Sequence, residues 1–204
     1  ANEMKERIVK LLSENDALAF MEAFQDMFDP GQVFDDRNLP TIGTFHSVCV
    51  RILRKNIHHL DFENSFVIYD YADQQILVKR IMKDMALDSK KINPKAVLSH
   101  ISNAKNQLIS ADDFNQYSSD YFTEKVGQIY PKYQSALSRN NALDFDDIIM
   151  KTVELFMQFP EILNRYQEKF KYISVDEYQD TNKAQYELIR LLASKYKNLC
   201  VIGD

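Results

Sequence analysis

Glycine and proline are scarce in this chain, four and five among 204 residues, where average usage of about 7% and 5% would supply over three times the glycine and about twice the proline. The shortage excludes a turn-dense architecture and points to long helices joined by few tight turns. Cysteine is scarce too. Cys49 and Cys200 both lie within apolar runs, which excludes a disulfide framework, fits a reducing compartment and reads as two small buried hydrophobes. No apolar run reaches the roughly 18 residues that a spanning helix needs, and no secretory signal opens the chain. No membrane role is therefore expected. Internal repeats and low-complexity tracts are absent. So is any Gly-x-x-x-x-Gly-Lys-Ser/Thr, the loop whose backbone amides cradle phosphates.

What is present is ordinary for a globular protein of one or two domains: 45% hydrophobic and 27% charged residues. The net charge of −5 argues by itself against nucleic acid, but its distribution does not. Nine acidic residues face four basic ones between Ala1 and Pro40, whereas Lys79, Arg80, Lys83, Lys90, Lys91, Lys95 and Lys105 meet only Asp84 and Asp88. That local excess of +5 can meet phosphates while the whole stays acidic. Each lysine taken singly reads equally well as part of a solvated helical face.

Four runs read as strands: Thr41 to Thr44, Phe66 to Tyr69, Tyr172 to Asp176 and Leu199 to Ile202. Helical spacing dominates elsewhere. Asp70 with Asp73 forms a capping-box pattern ahead of Ile76, Leu77, Ile81 and Met82. Asn93-Pro94 is a cap and first-turn pair ahead of Val97, Leu98, Ile101, Ala104 and Leu108. A stripe from Phe122 through Val126, Ile129 and Tyr133 to Leu137 contains Pro131, which lacks a donor and clashes with the carbonyl four residues earlier, at Gly127. The spacing favours one helix bent between 127 and 131; two helices meeting at Pro131 is the alternative. Ile148, Ile149, Thr152 and Leu155 form a further stripe.

The richest segment is Lys171-Tyr172-Ile173-Ser174-Val175-Asp176-Glu177-Tyr178-Gln179-Asp180-Thr181-Asn182. A short alternating strand ends on two adjacent carboxylates, and helical spacing resumes after Asn182. In open α/β sheets ligands bind outside the carboxyl ends of strands. An Asp there can hold Mg²⁺ and a Glu beside it can take a proton from water. A bare Asp-Glu pair is more often solvated surface, so the longer string carries the weight.

Asp-Glu-Tyr-Gln-Asp-Thr-Asn resembles the second helicase motif of the UvrD/Rep/PcrA-type superfamily 1 DNA helicases. Thr41-Ile42-Gly43-Thr44-Phe45-His46-Ser47 resembles that family's DNA-contact motif and Leu143-Asp144-Phe145-Asp146-Asp147-Ile148 its Leu-Asp-Phe-Asp-Asp segment. Ala1 to Arg7 is similar to the tail of another DNA-contacting motif, and Val201-Ile202-Gly203-Asp204 to the opening of the third helicase motif. All five stand in family order, and only Asn15 to Leu39 looks longer than usual. The resemblance implies an α/β, mostly helical fragment. Residues 1–55 and 141–204 would form an incomplete RecA-like motor domain, and 56–140 an inserted all-helical domain.

The resemblance further implies an ATP-dependent 3′–5′ DNA helicase or translocase. Glu177 would be its catalytic base and Asp176 its Mg²⁺ ligand, with Asp176, Gln179 and Asp204 facing ATP. Thr44, Phe45, His46 and Ser47, joined by Lys90, Lys91 and Lys95, would contact single-stranded DNA near a duplex junction. A cytoplasmic, nucleoid-associated protein is expected. Without a phosphate loop these 204 residues are not expected to hydrolyse ATP alone. Two other readings are the motor subunit of a helicase–nuclease complex and a non-catalytic DNA-binding or protein-docking module with a degenerate motor fold. Phe45 taken alone also reads as core, His46 with Cys49 is too little for zinc, and Asp144, Asp146 and Asp147 read as caps rather than catalysts.

Overall fold

Short parallel strands and helices build the described residues, and side-chain caps mark where most of the helices start. A computed structural model describes residues 40–88, 91–117 and 120–204. The Ala1–Arg7 resemblance, the 15–39 segment and Lys90 lie outside them. The chain divides at Val48 and Cys49 into two compact units.

In the first unit, Pro40 to Thr44 is irregular backbone and not the expected strand. A strand exists only through its partner, and Thr44 is engaged otherwise. Its hydroxyl accepts from the Ser47 N–H (3.3 Å) and its carbonyl from the Val48 N–H (3.1 Å), which starts helix α1, Phe45–Asn56.

The second unit continues α1 into a 3₁₀ turn, Ile57–Leu60, and reaches β1, Val67–Ile68. Helices α2 (Tyr71–Asp84), α3 (Pro94–Asn106) and α4 (Tyr121–Arg139) follow, with a 3₁₀ turn, Phe114–Tyr117, before α4. Then come β2 (Ala142–Leu143), α5 (Phe145–Gln158), α6 (Pro160–Lys169) and β3 (Ile173–Val175). A 3₁₀ turn, Tyr178–Asp180, leads to α7 (Lys183–Ala193) and β4 (Leu199–Val201). The fold is mostly helical with few strands.

Asp70 and Asp73 form the expected capping box on α2, and Asn93 caps α3 with Pro94 in its first turn. Each such cap stabilises by about 1 kcal/mol. Asp144 with Asp147 caps α5 and Asn182 with Gln185 caps α7 in the same reciprocal manner. Gln185 is the cap partner there, its side chain accepting from the Asn182 N–H at 3.0 Å.

The strands form two separate parallel pairs, β1 with β2 (Val67 opposite Ala142) and β3 with β4 (Val175 opposite Val201). Three of the four expected strands are present, each somewhat shorter than its run, and β2 is an addition. Parallel pairing needs a crossover. Between β3 and β4 the crossover is α7, and between β1 and β2 it is the α2–α4 group.

That group buries Val78, Met82, Val97, Ile101, Val126 and Tyr133 on facing stripes. Two expected stripe members fall outside it: Ile76 is 67% exposed, and Leu108 lies past the end of α3 in left-handed backbone (φ 58°). Helix α4 runs unbroken through Pro131, so the two-helix alternative does not hold. Gly127 answers a second demand, since a Cβ there would collide with Asn115 Oδ1 from the preceding 3₁₀ turn. A second helical group joins α5 to α6 and α7, and α3 packs against members of both groups.

Candidate functional site

Parallel pairing with β4 presents the carboxyl end of β3, and Asp176 is the first residue past it. Glu177 then adopts left-handed backbone (φ 52°, ψ 44°), a conformation costing a non-glycine residue about 1–2 kcal/mol. Several bonds hold it there. Tyr178 N–H donates to Ile202 O (2.9 Å), Asp180 N–H to Glu177 O (3.0 Å), and Glu177 N–H to Asp176 Oδ1 (3.1 Å). The turn stops the strand ladder and leaves both carboxylates exposed. Among the described residues neither carboxylate enters an ion pair.

Gln179 closes the group. Its Nε2 donates to Glu177 Oε2 (2.7 Å), and its Oε1 stands where a Cβ on Gly203 would sit. The structure thus gathers Asp176, Glu177 and Gln179 beside the Gly203-Asp204 end of β4. Among the described residues no group of three or more His, Cys, Asp or Glu is arranged for a metal. Mg²⁺ does not demand one, since it is commonly held by one or two carboxylates with substrate phosphates and waters. An exposed Asp176 fits that donor set.

The other acidic segment is built differently. Lys105, from the last turn of α3, is fully buried and places its ammonium 2.6 Å from Asp144 Oδ2 and 2.8 Å from Asp147 Oδ1. Tyr133 donates to Asp144 (3.0 Å), and Gln134 Nε2 donates to both oxygens of Asp147 (3.1 and 3.2 Å). An acceptor-only carboxylate fixes that amide's orientation, so Gln134 Oε1 has no partner among the described residues.

Burial, then the charge of Asp144, pushes Asp147 up to about 6 against the pull of Lys105. Burial alone would lower Lys105, but the charges of Asp147 and Asp144 outweigh it and hold the ammonium above its ordinary value. Burial is also the first cause of the rise at Asp146, opposed by hydrogen bonds from Ser102 and Asn106. The cluster is structural. Lys105 therefore leaves the set of lysines counted as able to meet phosphates, whereas Lys91 and Lys95 are exposed.

In the segment expected to contact DNA, Thr44 and Ser47 are exposed, and Phe45 and His46 are half-buried. Cys49, one turn on, is buried, and burial pushes its thiol up to about 12 against a hydrogen bond with Thr152. A thiol so held is a poor metal ligand, in line with the weak case for zinc. Cys200 departs from expectation: it is exposed, because the face of β4 carries no described partner element over it.

Sequence reasoning placed Lys105 among the lysines able to meet phosphates and missed both its burial and the contacts of Asn106. Asn106 Nδ2 donates to Asp146 Oδ1 (3.2 Å), and Asn106 Oδ1 accepts from Asn182 Nδ2 (2.5 Å). Their only signal was a polar pair at the end of an apolar stripe.

Residues 1–204 match the family model described as the UvrD/REP helicase N-terminal domain. The chain is 46% identical over its whole length to the ATP-dependent DNA helicase PcrA of Staphylococcus aureus (strain Mu50), covering 25% of that protein. To the protein of the same name from Staphylococcus epidermidis (strain ATCC 12228) it is 44% identical, again over 100% of the chain and 25% of the relative. The chain spans about a quarter of the length of the curated relatives it matches.

Proposed function

This chain belongs to the UvrD/REP helicase N-terminal domain family, and from that premise we propose that it is the part of an ATP-dependent DNA helicase that carries the Mg-ATP carboxylates and a single-strand contact. The observation that supports this most is the exposed Asp176-Glu177 pair at the carboxyl end of β3, outside any described ion pair. Asp176 is the Mg²⁺ ligand, and Glu177 orients the attacking water and accepts its proton. Gln179, bonded to Glu177 and lodged against Gly203, keeps that carboxylate aligned beside Asp204, on the ATP side of the site. Bound Mg²⁺ supplies charge neutralisation at the phosphates.

Thr44, Phe45, His46 and Ser47 grip single-stranded DNA, with Phe45 stacking on a base. Lys90, Lys91 and Lys95 meet phosphates near the junction with duplex. Residues 1–55 and 141–204 belong to a RecA-like motor domain, and 56–140 form its helical insertion. Translocation runs 3′ to 5′, and work on DNA places the protein with the nucleoid in the cytoplasm. Among the described residues no helix is long and apolar enough to cross a membrane.

The test uses the full-length protein that carries this chain. Hydrolysis of ATP should require Mg²⁺, rise on addition of single-stranded oligonucleotide, and drive unwinding of a duplex bearing a 3′ tail in preference to a 5′ tail. DNA binding with no DNA-stimulated hydrolysis would instead favour a non-catalytic module.

A further inference from the structure

Helix α3 ends on a side chain that joins two segments far apart in sequence. Asn182 caps α7 directly after the Asp176–Thr181 loop, and its Oδ1 accepts from the Gln185 N–H (2.9 Å). A backbone N–H only donates, so the cap fixes the amide and turns Asn182 Nδ2 towards Asn106. Asn106 must then present Oδ1, which it does at 2.5 Å, and its own Nδ2 faces the acceptor-only carboxylate of Asp146 at 3.2 Å. The two ends thus dictate which way each amide faces, and Asn106 Nδ2 also reaches Ser102 Oγ of its own helix at 3.4 Å. Asp146 itself stands in the first turn of α5 between Asp144 and Asp147, which grip Lys105, the residue before Asn106. All three members of the row are half-buried, where such bonds are better shielded from water than at a free surface.

We propose that Asn106 is a positioning residue that couples helix α3 to the loop carrying Asp176 and Glu177, so that DNA bound near α3 governs the rate of ATP hydrolysis. The inference rests on the helicase reading above. Helix α3 has 13 residues, a strut of about 20 Å, with exposed Lys95 in its first turn and the Asn106 contact at its last. It packs on α2 and α4 and also on α5 and α7. A phosphate contact at one end and the Asn182 cap at the other therefore share one rigid element. The polar row is the attachment that a shift of α3 must carry with it or break.

The experiment is steady-state hydrolysis by the full-length protein, with and without saturating single-stranded DNA. Asn106→Ala should lower the DNA-stimulated kcat about tenfold, the scale of one lost hydrogen bond, with the DNA-free rate and the KM for ATP unchanged. Asn106→Asp should lower it further by setting two carboxylates face to face. Adding Asp146→Asn to Asn106→Asp should restore stimulation, because the introduced carboxylate accepts from Asn182 and from the introduced amide. That rescue also decides the matter if Asn106→Ala folds poorly. Unchanged stimulation in Asn106→Ala, or no rescue by the double substitution, overturns the coupling. Absence of DNA-stimulated hydrolysis in the unaltered protein overturns the helicase reading instead.

Discussion

Asp144-Phe145-Asp146-Asp147 and Asp176-Glu177-Tyr178-Gln179-Asp180 each follow a short parallel strand and each lead into a capped helix. The first wraps Asp144 and Asp147 around a fully buried lysine, and the second turns its two leading carboxylates into solvent. The reason lies in what packs against each. The last turn of α3 delivers Lys105 to the start of α5, and Tyr133 and Gln134 of α4 fill the remaining acceptor sites. Past β3 the left-handed turn at Glu177 breaks the strand and points outward, and only Gln179 and backbone groups return to it. An acidic pair whose charge is met within the protein holds helices together. One left unmet can serve a ligand.

The sharpest way to break this comparison is Glu177→Gln in the full-length protein. Loss of a positioned base should cut DNA-stimulated hydrolysis by about 10²–10⁴-fold, with nucleotide binding retained and Tm unchanged, because the side chain is exposed. Turnover close to that of the unaltered protein would remove Glu177 from the role of base.

Lys105→Met probes the buried counterpart. Stranding two carboxylates without their cation should destabilise by about 3–5 kcal/mol. The pH dependence follows from Asp147, whose folded value of about 6 lies above the ordinary carboxylate value of about 3.9. Between those values the folded protein binds the proton more tightly than the unfolded chain. The stabilisation due to protonated Asp147 is thus full at low pH and lost as pH rises through about 6. Without Lys105 to oppose it the rise is larger, so the variant's deficit should widen between about pH 5 and about pH 8 in urea unfolding. A deficit that stayed constant with pH would show that the carboxylates do not depend on Lys105.

The same contrast separates buried Lys105 from exposed Lys95 on the same helix and exposed Lys91 just before it, and predicts a smaller effect. Lys91→Gln with Lys95→Gln should reduce the slope of log affinity against log salt for single-stranded DNA by about 0.7 per lost phosphate contact, which a salt titration of binding measures. Phe45→Ala should weaken binding by about 1–3 kcal/mol and leave that slope alone, because stacking releases no counterions. A changed slope for Phe45→Ala would assign it a role other than stacking.

How far these features were legible depends on the distance over which each is decided. Caps are local: Asp70 with Asp73 and Asn93 with Pro94 declare themselves within four residues, and the structure contains both. The alternation at Ile173 and Val175 likewise sufficed for β3. By contrast β2 is only Ala142-Leu143, a pair with little strand character that becomes a strand because Val67-Ile68, more than seventy residues earlier, lies alongside. Thr41 to Thr44 shows the reverse, β-prone residues without a described partner and with Thr44 engaged as a cap. Cys49 and Cys200 occupy similar apolar runs and end with opposite exposure.

The sequence by itself determined most of the helices, several of their starts, three strands and the family, because hydrophobic period, capping chemistry and local residue strings are written within a few residues. Tertiary structure alone decided which carboxylates are neutralised, which lysines reach solvent, and that Asn106 meets Asn182 across 76 positions. Those outcomes turn on desolvation and on partners brought together from distant segments. A residue's charge is fixed by its type, but the dielectric and counter-charge around it are fixed only when the helices pack.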